Sequence, residues 1–227
     1  MLQDAPALCQ VITSIHQRGW CDGTGGNFSS VVCEQPLALL MAPSSVDKGS
    51  LTPSDLIVVD GEGTVIGGEG KASAETRLHL TIVKTTHARA VLHTHSQAAT
   101  LLSRWQLAAS GGQSRWWEGE PGATGLLGYL RVGHLEMLKG LEGIPTHATT
   151  ISIPILANSQ NMAELSDSAR PHLDQAPHGI LIAGHGLYAW GNSLAQARRH
   201  LEILEFLLEQ HWRQLILDSK PITNGGC

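Results

Sequence analysis

A short apolar segment that ends in two histidines constrains the fold of this chain more than any other feature. Residues 91–95 read VLHTH, and Ser96 follows. The apolar residues predict a strand, and on a strand two residues separated by one neighbour point to the same side of the sheet. The sequence therefore places His93 and His95 side by side at the end of a buried strand.

A third histidine stands far along the chain in a similar setting. His185 lies between Gly184 and Gly186, directly after the apolar stretch 180–183. Flanking glycines let the backbone approach a ligand closely and leave the imidazole uncrowded. Three histidines with one open position are a ligand set of catalytic zinc. The pair of histidines alone is weak evidence, because most such pairs bind no metal, but the three together predict a metal centre.

Composition narrows the class of protein. A chain of 227 residues with 42% hydrophobic and 15% charged residues is typical of a globular protein, and we expect a single domain over 1–227. No run approaches the ~20 apolar residues of a membrane span. We identify no signal-peptide pattern at the start of the chain. A net charge of −5 argues against a nucleic-acid partner.

The cysteines favour a reducing compartment. Cys9, Cys21, Cys33 and Cys227 form no CxxC pair and show no zinc-ribbon spacing. We expect free thiols and a cytoplasmic protein.

Hydrophobic periodicity predicts helices packed on a mixed sheet. The predicted helices cover 5–18, 74–87, 97–106, 134–141, 161–173 and about 194–217, the last with a cap at Ser193. The predicted strands cover 31–33, 37–42, 56–60, 64–67, 89–95, 151–157, 179–184 and 186–190. The stretch 109–125 is predicted to be an irregular loop. Its Trp116 and Trp117 either cover a pocket or subunit contact, or pack at the edge of the core.

Two carboxylates are candidates for acid–base chemistry. Glu75 follows Ser73 at the start of a predicted helix, where a glutamate is also favoured simply by the helix dipole. Glu136 lies in a short helical segment and equally fits a solvated surface residue. Lys139, three residues on, either pairs with Glu136 or binds an anion.

Small and hydroxyl side chains suggest an anion site. The glycine-rich loop 23–27 is neither a Walker motif nor a dinucleotide fingerprint, since a helix precedes it and no Gly-Lys-Ser/Thr follows. Such a loop can still cradle a phosphate, although it is also a plausible plain connection. Ser44, Ser45 and Ser73 offer further donors, with Lys48 nearby.

Taken in order along the chain, these segments resemble the class II aldolase and adducin family. They are GGNFS at 25–29, APSS at 42–45, ASAE at 72–75, HTHS at 93–96 and GHG at 184–186. Each is weak alone, whereas the ordered series is specific. Within the family, the segments 71–76, 136–140 and 184–191 are most similar to the dehydratases of methionine salvage.

The resemblance implies a three-layer α/β/α domain with a mostly antiparallel central sheet, assembled as a homotetramer with sites near subunit interfaces. It implies that His93, His95 and His185 bind one Zn²⁺ per subunit, although iron, cobalt and manganese suit three imidazoles as well. It places the substrate phosphate among six residues: Gly26, Asn27, Ser44, Ser45, Ser73 and Lys139.

The implied activity is dehydration of 5-methylthioribulose 1-phosphate to a 2,3-diketone, by a lyase. Glu136 matches the acid–base position of the dehydratases, and Glu75 matches that of the sugar-phosphate aldolases. The alternative is an aldolase or epimerase acting on a ketose phosphate. A non-catalytic adducin-like module is a third possibility, which the retention of three histidines and two glutamates disfavours. A zinc hydrolase outside the family would leave the phosphate-type loops without a use.

Overall fold

The computed structural model describes residues 4–109 and 123–219, without the side chains of 106–109. The helices are α1 (Ala5–Gln17), α2 (Thr76–Thr86), α3 (Gln97–Ala109), α4 (Met162–Leu173) and α5 (Leu194–Asp218), with short 3₁₀ helices at Pro53–Asp55 and Glu136–Gly140. The strands are β1 (Asn27–Glu34), β2 (Leu37–Met41), β3 (Ile57–Asp60), β4 (Val65–Gly67), β5 (Ala90–Thr94), β6 (Leu126–Gly133), β7 (Thr150–Leu156), β8 (Gly179–Ile182) and β9 (Gly186–Gly191). Within these ranges, no helix combines the length and the apolar character that crossing a bilayer requires.

The strands form one sheet of nine, in the order β4-β3-β2-β1-β5-β9-β8-β7-β6. Every neighbouring pair is antiparallel except β7 and β8, which are parallel. The strand with the two histidines, β5, lies in the middle between β1 and β9. Its His93 stands opposite Asn27 on one side and Tyr188 on the other. The sheet thus brings segments from distant parts of the chain together at one end of β5.

Helices cover both faces of the sheet. Leu8 of α1, Leu102 of α3 and Leu204 of α5 belong to the apolar cluster on one face. Leu78 of α2 and Leu165 of α4 belong to the cluster on the other face. Burying such a leucine contributes about 1.5–3 kcal/mol, so these two interfaces supply much of the driving force for folding. The three-layer α/β/α arrangement with a mostly antiparallel sheet is therefore confirmed.

The longest helix begins as its sequence predicts. The Ser193 hydroxyl accepts a hydrogen bond from the Gln196 N–H at 3.1 Å, which satisfies one of the unpaired donors of the first turn. The apolar stripe of α5 then packs on β9 and β5, which fixes the helix behind the histidine strand.

Two strand predictions were wrong, and one predicted helix is shorter in the structure. Strand β1 begins at Asn27, not after Ser30, because residues 27–30 pair with residues 90–93 of β5. Strand β6 was not predicted; it lies at the sheet edge, and only Leu130 and Val132 along it are buried, so its alternation is short. The helical segment predicted over 134–141 is a 3₁₀ helix over 136–140. The Trp116–Trp117 prediction falls outside the described residues.

Candidate active site

Three imidazoles converge on one point at the end of β5. The Nε2 atoms of His93 and His95 are 2.9 Å apart, those of His95 and His185 are 3.0 Å apart, and those of His93 and His185 are 3.3 Å apart. Zinc–nitrogen distances of about 2.0–2.1 Å in a tetrahedral site place two ligand nitrogens about 3.3 Å apart. The triangle of nitrogens therefore has the size that a single metal ion requires.

The protonation of His93 also suits a metal ligand. Its Nδ1 lies 3.0 Å from the Leu187 carbonyl and donates to it, so Nε2 carries a lone pair. Burial holds the pKa of His93 well below its usual value and also lowers the pKa of His95, so both rings are neutral. The His93 ring stacks on Tyr188 with centroids 3.9 Å apart, which fixes its plane. Converging lone pairs of neutral imidazoles repel one another unless a cation or a proton lies between them, so the residues fit a metal ion.

Glu75 joins the three histidines. One carboxylate oxygen lies 3.1 Å from Nε2 of His185 and 3.6 Å from Nε2 of His93. The other oxygen accepts a hydrogen bond from the Asn27 amide. Burial would raise the pKa of Glu75, but its hydrogen bond with His185 and its electrostatic interactions with the nearby imidazoles outweigh burial, and the pKa stays well below its usual range. The carboxylate is thus ionised and completes a group of four potential metal ligands.

Glycines allow the backbone to come this close. Gly26 has a φ of +77°, and a Cβ there would lie 2.8 Å from the His93 carbonyl oxygen. A Cβ on Gly186 would collide with the Thr94 carbonyl oxygen. Both positions therefore require glycine, one for the turn before β1 and one for the pairing of β9 with β5.

Behind the metal ligands lies a buried carboxylate that the sequence analysis missed. Glu205 on α5 is 2% exposed and accepts a hydrogen bond from the Thr94 hydroxyl at 2.5 Å. Burial raises the pKa of Glu205 to about 7, against the hydrogen bonds from Ser96 and Thr94. The signal in the sequence is a glutamate inside the apolar stripe of α5, next to Leu204.

Three of the six predicted phosphate residues, Gly26, Asn27 and Ser73, lie beside the metal group. Gly26 and Asn27 come directly before and at the start of β1, beside His93. The Ser73 hydroxyl accepts a hydrogen bond from the Glu75 N–H at 3.2 Å. The Ser44 N–H donates to the Lys71 carbonyl at 2.8 Å, which joins the turn of Ser44 and Ser45 to the segment that leads to Glu75.

Lys48 is the second residue whose place the sequence did not reveal. It is 1% exposed, and its ammonium donates to the carbonyls of Thr24 at 3.3 Å and Val46 at 3.1 Å. Burial lowers its pKa. Lys48 therefore ties the glycine-rich loop to the serine turn.

Glu136 and Lys139 lie apart from the histidine group. They form an ion pair with each other on the 3₁₀ helix that packs against α5, and Glu136 also lies 3.5 Å from His147. The Glu136 side chain is 71% exposed. Within 4–109 and 123–219, the group of potential metal ligands at β5 includes Glu75 and leaves Glu136 out.

A cavity of about 720 Å³ adjoins the segment that follows His95. Ser96 and Gln97 line it, together with Met137, the neighbour of Glu136. Its apolar lining comes from Trp20, Met137, Phe206 and Trp212. The segment of Glu136 thus borders a cavity that begins one residue from a candidate metal ligand.

Known proteins share both the sequence and the fold. Residues 6–212 match the class II aldolase and adducin N-terminal domain. A protein of Xanthomonas campestris pv. campestris named methylthioribulose-1-phosphate dehydratase is 42% identical over 95% of this chain and 91% of its own length. A protein of the same name from Pseudoalteromonas translucida is 39% identical over 100% of both chains.

Solved structures agree on the fold. An L-fuculose 1-phosphate aldolase superposes with a TM-score of 0.71 at 20% identity, covering 96% of this chain and 88% of its own. The L-fuculose-1-phosphate aldolase of Thermus thermophilus superposes with a TM-score of 0.68 at 25% identity, covering 97% and 100%. With the histidine group at the end of β5, these matches show that the chain belongs to the class II aldolase and adducin family.

Proposed function

We propose that this protein is a metal-dependent methylthioribulose-1-phosphate dehydratase, a lyase of methionine salvage. The observation that carries the proposal is the convergence of three imidazoles and Glu75 on one point. It occurs in a chain that is 42% identical to a protein of that name. The free thiols of Cys9, Cys21 and Cys33 agree with a cytoplasmic enzyme.

The reaction removes a proton from C3 and hydroxide from C4 of the ketose, and the enol product becomes a 2,3-diketone. His93, His95 and His185 would hold the metal, proposed to be zinc, which stabilises negative charge on the C2 ketone oxygen as a Lewis acid. Neutral, desolvated imidazoles support this assignment, because a protonated imidazole has no lone pair to offer.

The phosphate would bind where the glycine-rich loop meets the serine residues. Backbone N–H groups near Gly26 and the side chains of Asn27, Ser44, Ser45 and Ser73 would supply the donors, and the contacts of Lys48 with the two loops support this assignment. Lys139 would add positive charge from the segment of Glu136. Anchoring the phosphate fixes the position of C3 relative to the carboxylates, which supplies orientation rather than chemistry.

We assign the acid–base role to Glu136 and a supporting role at the metal to Glu75. Glu75 is ionised and already engaged by His185 and Asn27. Glu136 is exposed together with its partner Lys139, so both side chains can meet a substrate outside their own subunit. In a homotetramer with sites near subunit interfaces, Glu136 would take the C3 proton and return it to the departing hydroxyl.

The methylthio tail needs an apolar surface. The cavity beside Ser96 offers Trp20, Phe206 and Trp212 for this purpose.

The test is incubation of zinc-loaded protein with 5-methylthioribulose 1-phosphate while diketone formation is followed. We expect rapid formation that stops on chelation and returns with added metal. A metal-loaded protein that makes no diketone would contradict the proposal.

A second candidate function is aldol cleavage of a ketose 1-phosphate, since Glu75 lies beside the metal group at the position that the sugar-phosphate aldolases use. The same preparation tests it with L-fuculose 1-phosphate. Release of an aldehyde there, without diketone from the methylthio substrate, would favour the aldolase.

A further inference from the structure

A second cluster of metal-binding side chains lies where three other segments meet. Glu142 follows the 3₁₀ helix Glu136–Gly140, His178 precedes β8, and His200 lies on α5. One ligand atom from each of these residues lies within 4.8 Å of the others. The cluster shares no residue with the site at β5.

Both imidazoles are oriented by backbone carbonyls. The His200 Nδ1 donates to the Trp190 carbonyl at 2.8 Å, which leaves the lone pair on Nε2. The His178 Nε2 donates to the Glu142 carbonyl at 3.2 Å, which leaves the lone pair on Nδ1. Histidines that bind metals usually donate their other N–H to such an acceptor, which fixes the tautomer and the ring plane. Burial also lowers the pKa of His200 and keeps this ring neutral.

The carboxylate is held in a similar way. Glu142 accepts a hydrogen bond from the Gln196 side-chain amide at 2.5 Å, and the Gln196 oxygen in turn accepts from the Asn192 N–H at 2.5 Å. Gln196 lies in the first turn of α5, so the helix that carries His200 also orients Glu142. Such support for a carboxylate is the second feature expected of a metal site.

The backbone of His178 adds a third observation. This residue has a φ of +59°, an unfavourable conformation for a residue with a side chain. In that conformation its ring stacks on His200 with centroids 4.0 Å apart and planes 20° from parallel. Strained backbone of this kind is often retained where a ligand is held.

We propose that Glu142, His178 and His200 bind a second divalent transition-metal ion of the zinc type. Two histidines and one glutamate form a known zinc set with one position left for water. Glu142 lines two cavities, of about 560 and 320 Å³, so water has access to it. Binding would require the half-buried ring of His178 to tilt out of the observed stack, which would bring its nitrogen to about 3.3 Å from that of His200.

The ion would join three elements at once. It would tie the loop after the 3₁₀ helix to α5 and to the start of β8. Since that loop continues directly from the segment of Glu136 and Lys139, the second metal would fix this segment on the body of the protein. The binding proposal itself does not depend on the proposed function.

The experiment is a Co²⁺ titration of the metal-free full-length protein, followed by visible absorption and by counting bound metal. The variant His95→Ala removes the first site. We expect two bound ions in the wild type, one in His95→Ala and none in His95→Ala/His178→Ala. Glu142→Gln in the His95→Ala background should bind at least tenfold more weakly. His172→Ala, a half-exposed histidine on α4, is the matched control and should leave the second ion in place.

The outcomes separate the two sites. Absence of bound Co²⁺ from His95→Ala at about 100 µM metal, or its retention by His95→Ala/His178→Ala, would overturn the second site. If His178→Ala binds one ion fewer than the wild type and His95→Ala binds as many as the wild type, the first site is overturned and the second is supported. If the metal-free double variants have the same unfolding midpoint as metal-free His95→Ala, the loss of bound Co²⁺ reflects the removed ligand and not a loss of folding. If His95→Ala/His178→Ala is unfolded, the Co²⁺ affinity of Glu142→Gln in the His95→Ala background decides whether the second site exists.

Discussion

At the scale of single residues, charge decides the chemistry of the β5 site. Glu75 is a desolvated carboxylate whose partners are imidazole nitrogens and an amide, whereas Glu136 is exposed and paired with Lys139. The two acids therefore differ in environment although either suits acid–base work by residue type. Substitution by glutamine separates their roles, because it removes the charge and keeps the shape.

For Glu136→Gln we expect a kcat about 100- to 10,000-fold lower, the usual contribution of general acid–base catalysis. The KM and the bound metal should stay unchanged, since Glu136 is not in the metal group. Steady-state kinetics on the methylthio substrate and metal analysis check this. Normal turnover would move the acid–base role to Glu75.

For Glu75→Gln we expect metal affinity to fall about 10- to 100-fold, as when a residue that supports the ligands is lost. The physical reason is the loss of a negative charge 3.1 Å from the His185 nitrogen. Competition with a coloured chelator measures the change, and Glu136→Gln is the matched control. Equal metal affinity in the two variants would show that Glu75 does not act at the metal.

The sequence reveals individual ligands better than their partners. The histidines stand out because one-residue spacing on an apolar strand has a single geometric meaning. Glu205 and Lys48 do not stand out, because their importance arises from burial, which depends on the packing of α5 and of two distant loops. Likewise, residue type cannot show which of Glu75 and Glu136 contacts the histidines, because the contact depends on where α2 begins relative to β5.

At the scale of secondary-structure elements, glycine-rich turns control the site. Gly26 and Gly23 both have positive φ, but a Cβ on Gly26 would meet the His93 carbonyl at 2.8 Å, whereas a Cβ on Gly23 would meet nothing within 4 Å. Gly23→Ala should lower the free energy of unfolding by about 1–2 kcal/mol, because alanine is unfavourable in the left-handed backbone conformation, and it should leave activity intact.

Gly26→Ala should cost more and also raise the KM, because the strand pair of Asn27 and His93 must shift. Urea unfolding and steady-state kinetics on both variants provide the comparison. Equal losses of stability and activity in the two variants would show that the close contact at Gly26 is unimportant.

The contact of α5 with β5 predicts a pH dependence. The buried Glu205 has a pKa of about 7, above its ordinary 4.5, so folding favours its protonated form. The penalty for ionising it in the folded state is absent below about pH 4.5, grows up to about pH 7 and is then constant at about 3 kcal/mol. Wild type should therefore lose stability relative to Glu205→Gln as the pH rises from 5 to 8. Parallel curves of unfolding free energy for the two proteins would contradict this account.

At the scale of the molecule, the proposed tetramer has a direct test. If Glu136 serves the metal site of another subunit, a subunit lacking the metal and a subunit lacking the acid complement each other. Co-expression of His95→Ala with Glu136→Gln should then restore a substantial fraction of wild-type turnover, although each variant alone is inactive. Mixed assemblies that stay inactive would place both residues in one subunit's site.

Metal binding also stabilises the whole fold, because the unfolded chain does not hold three imidazoles within 3.3 Å of one another. Zinc at a free concentration of about 100 times its Kd should add about 2.7 kcal/mol. For a chain of this length that corresponds to a rise of about 5–11 °C in the unfolding midpoint. His95→Ala should lose the part of the rise that the β5 site contributes, whereas His172→Ala should keep the whole rise. A midpoint that zinc leaves unchanged in the wild type would mean that the converging imidazoles hold no metal.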